Sequence, residues 1–68
     1  MTEAEEQALR ARLAELMHEH RDLDIAIQAM ADTGVTDQLQ LSRMKRRKLQ
    51  LKDLITQIND KLLPDIIA

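Results

Sequence analysis

The chain has 68 residues, room for one small domain, with 32% charged side chains, a net charge of −2 and no cysteine. These counts exclude disulfide scaffolds, thiolate metal sites and cysteine nucleophiles. The absence of Trp, Tyr and Phe also removes any ring that could stack on a base or a ligand. Apolar runs fall well short of the ~18 residues of a membrane span and the first six residues are acidic, so we expect a cytoplasmic protein.

Breakers of helical structure are few and clustered, which predicts two long helices joined by one turn. Thr2 and Glu5 have the spacing of a capping box at the start of the first helix. Gly34 suits the left-handed end of that helix, and Thr36 or Asp37 is expected to cap the second. The prediction is an all-α fold, an antiparallel two-helix hairpin of the coiled-coil type, forming one domain over residues 1–68: helix 1 at about 3–32, a turn at 33–36, helix 2 at about 37–63 before Pro64, and a short tail at 64–68.

Apolar residues recur at alternating steps of four and three in both predicted helices, which is the spacing of a heptad seam. Each seam has one polar interruption, His20 in helix 1 and Lys48 in helix 2. Because a short turn makes the helices antiparallel, a single register pairs Leu16 with Leu51 and places His20 opposite Lys48. The predicted seam residues are Leu9, Leu13, Leu16, His20, Leu23, Ile27 and Met30 with Leu41, Met44, Lys48, Leu51, Ile55, Ile58 and Leu62.

Charge is divided unevenly between the two arms and supports the same register. Residues 1–33 hold eight acids and three bases, whereas residues 34–68 hold seven bases and four acids. The arms therefore attract each other. We expect the Lys48 ammonium to reach solvent or Glu19. Three further cross-helix ion pairs are predicted: Glu5 with Lys61, Glu19 with Arg47, and Asp24 with Lys45.

Apolar side chains remain outside the seam, and a lone hairpin of this size has a small core. We therefore expect self-association, favouring a homodimer with a four-helix arrangement. The small-residue strip on the back of helix 1 is a second candidate contact, although alanine is also simply the best helix former. The off-seam residues are Met17, Leu39, Leu49 and Leu54, the tail residues Ile66 and Ile67, and the strip Ala4, Ala11, His18 and Ile25.

The basic run at residues 43–48 has two interpretations that the sequence leaves open. Arg43, Arg46 and Arg47 lie on one flank of the helix and could contact the phosphates of a nucleic acid. Alternatively, the run is a solvated face matched by acids of helix 1, as the net negative charge of the chain suggests.

No residue pattern indicates a reaction centre, a cofactor site or a small-molecule substrate. His18 and His20 are two residues apart, so on a helix their rings diverge by about 200° and cannot share a metal ion. Ser42 has bases around it and no histidine or acid that could activate it. We therefore expect no metal, no cofactor and no enzymatic activity.

Two segments, EHRDLD at residues 19–24 and MKRRKLQLKDLI at residues 44–55, resemble the YdcH-like family of small bacterial proteins. The family pattern reads roughly EHR-x-LD and then LKK-x-KL-x-LKD-x-I, with Met44 replacing a leucine here. The resemblance implies a cytoplasmic helical hairpin of unknown function, similar in size to SlyX-like proteins. The signature residues that it singles out are His20, Arg21, Asp24, Lys48, Leu49, Lys52 and Asp53.

Together these features predict a non-enzymatic interaction module that self-associates and contacts a protein partner through exposed apolar and basic surface on helix 2. The alternative is a nucleic-acid-associated factor that uses Arg43, Arg46 and Arg47.

Overall fold

A computed structural model describes residues 1–34 and 37–62, and within them the chain is a hairpin of two helices. Helix α1 spans Glu3–Thr33 and helix α2 spans Gln38–Leu62. The predicted all-α hairpin is confirmed. Residues 35 and 36 of the predicted turn and the tail from residue 63 onward, with Pro64, lie outside the described residues.

The start of α1 is fixed by its own first turn. The Thr2 hydroxyl accepts the backbone N–H of Glu5 at 3.1 Å, as the capping box requires. The Glu5 carboxylate reaches back to the Thr2 hydroxyl at 3.1 Å, rather than to the backbone amide expected in that box. Glu3, Glu5 and Glu6 also place negative charge at the positive end of the helix dipole, which stabilises the terminus.

The chain leaves α1 and enters α2 through residues suited to each end. Gly34 has φ 71° and ψ 19°, the left-handed conformation that a side chain would disfavour, and its N–H donates to the Ala31 carbonyl at 3.4 Å. At the start of α2 the Asp37 carboxylate accepts the Gln40 N–H at 3.0 Å. Asp37 therefore acts as the N-cap, which was one of the two candidates.

The core is a thin ridge of side chains between the helices. Leu16 and Leu51, which the predicted register places opposite each other, are the most deeply buried, with exposures of 1% and 0%. Ile27 and Ile58 are the other buried residues among those described. The partly buried hydrophobic residues packed around the core are Leu9, Leu13, Leu23, Leu54, Ile55 and Leu62.

Leu54 corrects one sequence prediction, because it was expected to lie off the seam and is half-buried against the core. It sits one turn from both Leu51 and Ile58 on the same side of α2, and side chains three or four residues apart share a helix face. Its side chain therefore folds onto those two residues and widens the core on that flank of the seam.

Candidate functional site

A groove of about 940 Å³ runs along one flank of the seam, between α1 and α2. Its α1 wall extends from Met17 to Ala31 and its α2 wall from Lys45 to Ile55. Two parallel cylinders in contact leave a furrow on each side, and side chains next to the seam line it. We call this furrow the groove from here on.

The apolar part of the groove consists of a covered floor and two exposed rims. Ile27, which is buried, and Ile55, which is half-buried, belong to the seam and form the floor near the two ends of the groove, with the seam residues His20 and Lys48 between them. Met17 on α1 and Leu49 on α2 stand at the rims with 54% and 64% of their surface exposed. The groove therefore presents apolar surface that the hairpin itself does not cover.

An ion pair crosses the groove and ties the two helices together. The Lys48 ammonium donates to Asp24 Oδ1 at 2.5 Å, and both side chains keep partial contact with solvent. This hydrogen bond and the lysine charge lower the pKa of Asp24 below its ordinary value, against the small opposing effect of desolvation and with minor help from His20. Lys48 thus holds the carboxylate in its charged form.

The same contact corrects two predicted pairings. Lys45 was expected to bind Asp24, and Lys48 was expected to reach solvent or Glu19. Lys48 occupies the seam, and its long stem carries the ammonium sideways to the groove flank, where Asp24 lies. Asp24 therefore pairs with the seam lysine Lys48 and not with Lys45, the predicted partner on the groove wall.

The opposite flank confirms the predicted pair of Glu19 with Arg47. The Arg47 Nε and Nη2 atoms both lie 2.8 Å from Glu19 Oε2. This arginine supplies the cation for Glu19, which leaves Lys48 to turn to the other side. The predicted pair of Glu5 with Lys61 does not form between these described residues, where the Glu5 carboxylate instead accepts a hydrogen bond from the Thr2 hydroxyl.

The groove is cationic although the chain as a whole is anionic. Lys45, Lys48 and Lys52 line it, and Asp24 is the acid among its lining residues. Its formal charge is therefore positive by two, on a chain with net charge −2. Within the described part of the chain neither Lys45 nor Lys52 forms an ion pair.

Most of the signature residues meet in this groove. Arg21 and Asp53 are exposed and lie outside its lining. Sequence reasoning did not identify the groove itself, nor the participation of Met17 and Lys45. The signal was present, because residues 17, 20, 24, 27 and 31 on α1 and 45, 48, 52 and 55 on α2 also alternate steps of three and four. The signature residues that line the groove are His20, Asp24, Lys48, Leu49 and Lys52.

The three arginines proposed to contact nucleic acid lie away from the groove lining. Arg43 and Arg46 are exposed on α2, and Arg47 is held by Glu19. The basic run of the sequence is thus divided by helical geometry into a lysine set in the groove and an arginine set outside it.

The histidine and acid side chains of the described residues do not gather into a metal-binding cluster. The His18 ring lies 3.4 Å from the Asp22 carboxylate, one turn along the same helix. Across residues 1–34 and 37–62 no three potential metal ligands among His, Asp and Glu come together. Neither described helix contains a stretch both long enough and apolar enough to cross a bilayer.

Comparison with known proteins gives a family and no activity. A family model described as "Protein of unknown function (DUF465)" matches residues 13–59, more than half of the chain and nearly all of both seams. This match is consistent with the YdcH-like resemblance. No curated protein and no solved structure matches the chain. The chain belongs to the DUF465 family, whose function is unknown.

Proposed function

We propose that this hairpin is a non-enzymatic interaction module whose groove receives a helix of a partner protein. The observation that carries the proposal is the composition of the groove: Met17 and Leu49 expose apolar surface on its two walls, beside Lys45 and Lys52, which form no ion pair within the described residues. A groove between two helices accepts a third helix by the same packing that joins the first two. A cytoplasmic location, expected from composition, is part of this proposal.

The concentration of signature residues in the groove supports the same proposal. Leu49 lies in the groove with most of its surface in solvent, so its role in the isolated hairpin is not core packing. An exposed leucine beside a partly exposed methionine gains stability when a partner covers both. The hairpin thus places its apolar rims where a partner could bury them.

Site-specific photo-crosslinking in cells tests the groove as the binding surface. A photoreactive residue at position 49 should yield a defined crosslink to a different protein, whereas the same residue at position 25 or 39 should crosslink at most to a second copy of the chain. Ile25 and Leu39 are matched controls because they are exposed apolar residues, at 58% and 64%, outside the groove lining. Equal crosslinking at all three positions, or none at position 49, contradicts the proposal.

Self-association is a second element of the proposal and concerns a different surface. The described helices bury only Leu16, Ile27, Leu51 and Ile58, which is a small core for an independent domain. Groove-to-groove contact between copies would oppose two positive surfaces, so we place a dimer contact elsewhere on the hairpin. Sedimentation velocity should show a dimer that dissociates on dilution, and a folded monomer at high micromolar concentration would refute it.

Nucleic-acid binding is the alternative function. Arg43 and Arg46 are exposed and could contact phosphates, but the Arg47 guanidinium is already engaged by Glu19. A mobility-shift assay at low salt with DNA and RNA separates the alternatives. Binding that is lost in an Arg43→Glu, Arg46→Glu variant would favour this function over the protein partner.

A further inference from the structure

We infer that the occupant of the groove is an acidic amphipathic helix of a different protein, with two carboxylates seven residues apart that face Lys45 and Lys52. This inference rests on the proposed function and adds the chemistry of the partner.

The apolar lining sets the size and the apolar face of the partner. The α1 wall runs from Met17 to Ala31, a rise of about 21 Å, which a partner helix of about 14 residues matches. In the register that places His20 opposite Lys48, Ile27 and Ile55 lie near the two ends of the groove, and Met17 and Leu49 stand between them on the α1 and α2 walls. A partner therefore needs one stripe of aliphatic side chains at helical spacing, narrow enough to enter between the two rims.

The charge on the α2 wall sets the polar flank of the partner. Lys45 and Lys52 are two helical turns apart, about 10.5 Å, on the same side of α2 as Leu49. Lys48 is engaged by Asp24, so the two outer lysines are the cations available to an incoming group. Carboxylates at positions i and i+7 of a helix have the same spacing and would pair with both lysines at once.

A second copy of the chain is a poorer occupant than a different protein. Two acid pairs of the chain have the same spacing. The carboxylates of Glu15 and Asp22 on α1 are paired with Arg12 and His18, whereas Asp53 and Asp60 on α2 form no ion pair among the described residues. A copy that inserted either of these faces would leave its own groove open to the next copy, so the contact would continue head to tail into a ring or a filament instead of filling the groove of a discrete dimer.

A nucleic acid is also a poorer occupant. The chain has no Trp, Tyr or Phe, the large rings on which bases stack most strongly. Phosphates would neutralise Lys45 and Lys52 but would leave Met17 and Leu49 exposed. An acidic helix satisfies both the charge and the apolar rims.

Designed peptides of about 18 residues test the inference with the full chain. Each peptide is an amphipathic helix with one leucine stripe, and its flank carries Glu, Gln or Lys at two positions seven apart. Fluorescence anisotropy should show that the Glu peptide binds most tightly, the Gln peptide more weakly and the Lys peptide most weakly. One exposed ion pair changes affinity by roughly 1.4- to 5-fold, so we expect the Gln peptide to bind roughly two- to 30-fold more weakly than the Glu peptide. The difference should shrink at high salt.

Charge reversal of the groove is the decisive variant. Lys45→Glu with Lys52→Glu should reverse the order, so that the Lys peptide binds best. Arg43→Glu with Arg46→Glu makes the same change in net charge outside the groove and should keep the original order. Circular dichroism checks that both variants remain helical, and the reversed order in the groove variant is itself evidence of folded binding.

The possible failures separate this inference from the proposed function. If the Glu and Gln peptides bind equally and Leu49→Asp abolishes both, the groove binds helices and the acidic preference is wrong. If no peptide binds, the inference is overturned, while crosslinking at position 49 still decides the proposed function. If nucleic acid competes with the Glu peptide for Lys45 and Lys52, or if those lysines drive concentration-dependent filaments of the chain alone, the assigned occupant is wrong.

Discussion

Replacing Lys48 with leucine tests the account of the polar interruption in the seam. Lys48 lies between seam residues Met44 and Leu51, and its side chain is 34% exposed. About two thirds of the site is therefore covered by the hairpin. We expect Lys48→Leu to stabilise the isolated protein, because a leucine there completes the apolar ridge on α2.

The magnitude follows from how much of the site is covered. Full burial of a leucine contributes about 1.5–3 kcal/mol, and two thirds of that is about 1–2 kcal/mol. Two effects reduce this gain. The methylene groups of the lysine stem already contribute part of the burial energy by packing in the seam. The substitution also removes the ion pair with Asp24, which is weak because the carboxylate is exposed to solvent. The expected net gain is about 1 kcal/mol. For a domain of this size that raises the melting temperature by about 4–8 °C.

Thermal unfolding followed by circular dichroism measures the effect. The protein concentration is held constant, because self-association would make the melting temperature depend on it. Lys45→Leu and Lys52→Leu are matched controls at the exposed rim of the same groove, where we expect changes within about 0.5 kcal/mol. Sedimentation of Lys48→Leu should also show broader association, since a polar seam residue restricts pairing. A Lys48→Leu protein with a lower melting temperature than the wild type would show that the seam requires the lysine cation, and the predicted stabilisation by leucine would be wrong.

Three other predictions concern the core, the turn and the acid response. Leu51→Ala should cost about 2–5 kcal/mol, enough to abolish the cooperative melt, because Leu51 is fully buried; a melt within a few degrees of the wild type would contradict this. Gly34→Ala should cost about 1 kcal/mol in urea unfolding through backbone strain alone, since among the described residues no atom beyond the chain neighbours of Gly34 lies within 4 Å of the added methyl, and Gly34→Asn should cost less. The lowered pKa of Asp24 means that its pairing with Lys48 stabilises the fold above the ordinary value of 3.8 and that this stabilisation is lost as the pH falls through the lower folded value. Asp24→Asn should therefore make the free energy of unfolding less dependent on pH in the acid range. A pKa of Asp24 at or above 3.8, measured by NMR titration of the wild-type protein, would refute its stabilisation by Lys48.

The partners of individual charges were harder to predict than the register. The pair of Glu19 with Arg47 was predicted correctly because both residues flank the seam on one side and short side-chain movements bring them together. The partner of Asp24 was not, because helical position predicts the nearest flank residue, Lys45, and does not show that a seam lysine can extend out to the same carboxylate. The prediction that Leu54 lies outside the core was wrong for a related reason. Leu54 is one turn from two core residues, and that proximity decides its burial more than its heptad position does.

The sequence by itself determined the two helices, the cap at Thr2, the left-handed Gly34 and the layer of Leu16 against Leu51, and it narrowed the cap of α2 to Thr36 or Asp37. These features depend on local helix propensity and on the spacing of apolar residues, and both can be recognised from the order of residues within one helix. Only the tertiary structure decided that the signature residues of two separate segments line one groove, and that Lys48 engages Asp24 across it. Those features depend on the side to which each side chain turns after the helices have packed, and that choice is made by neighbours from the other arm.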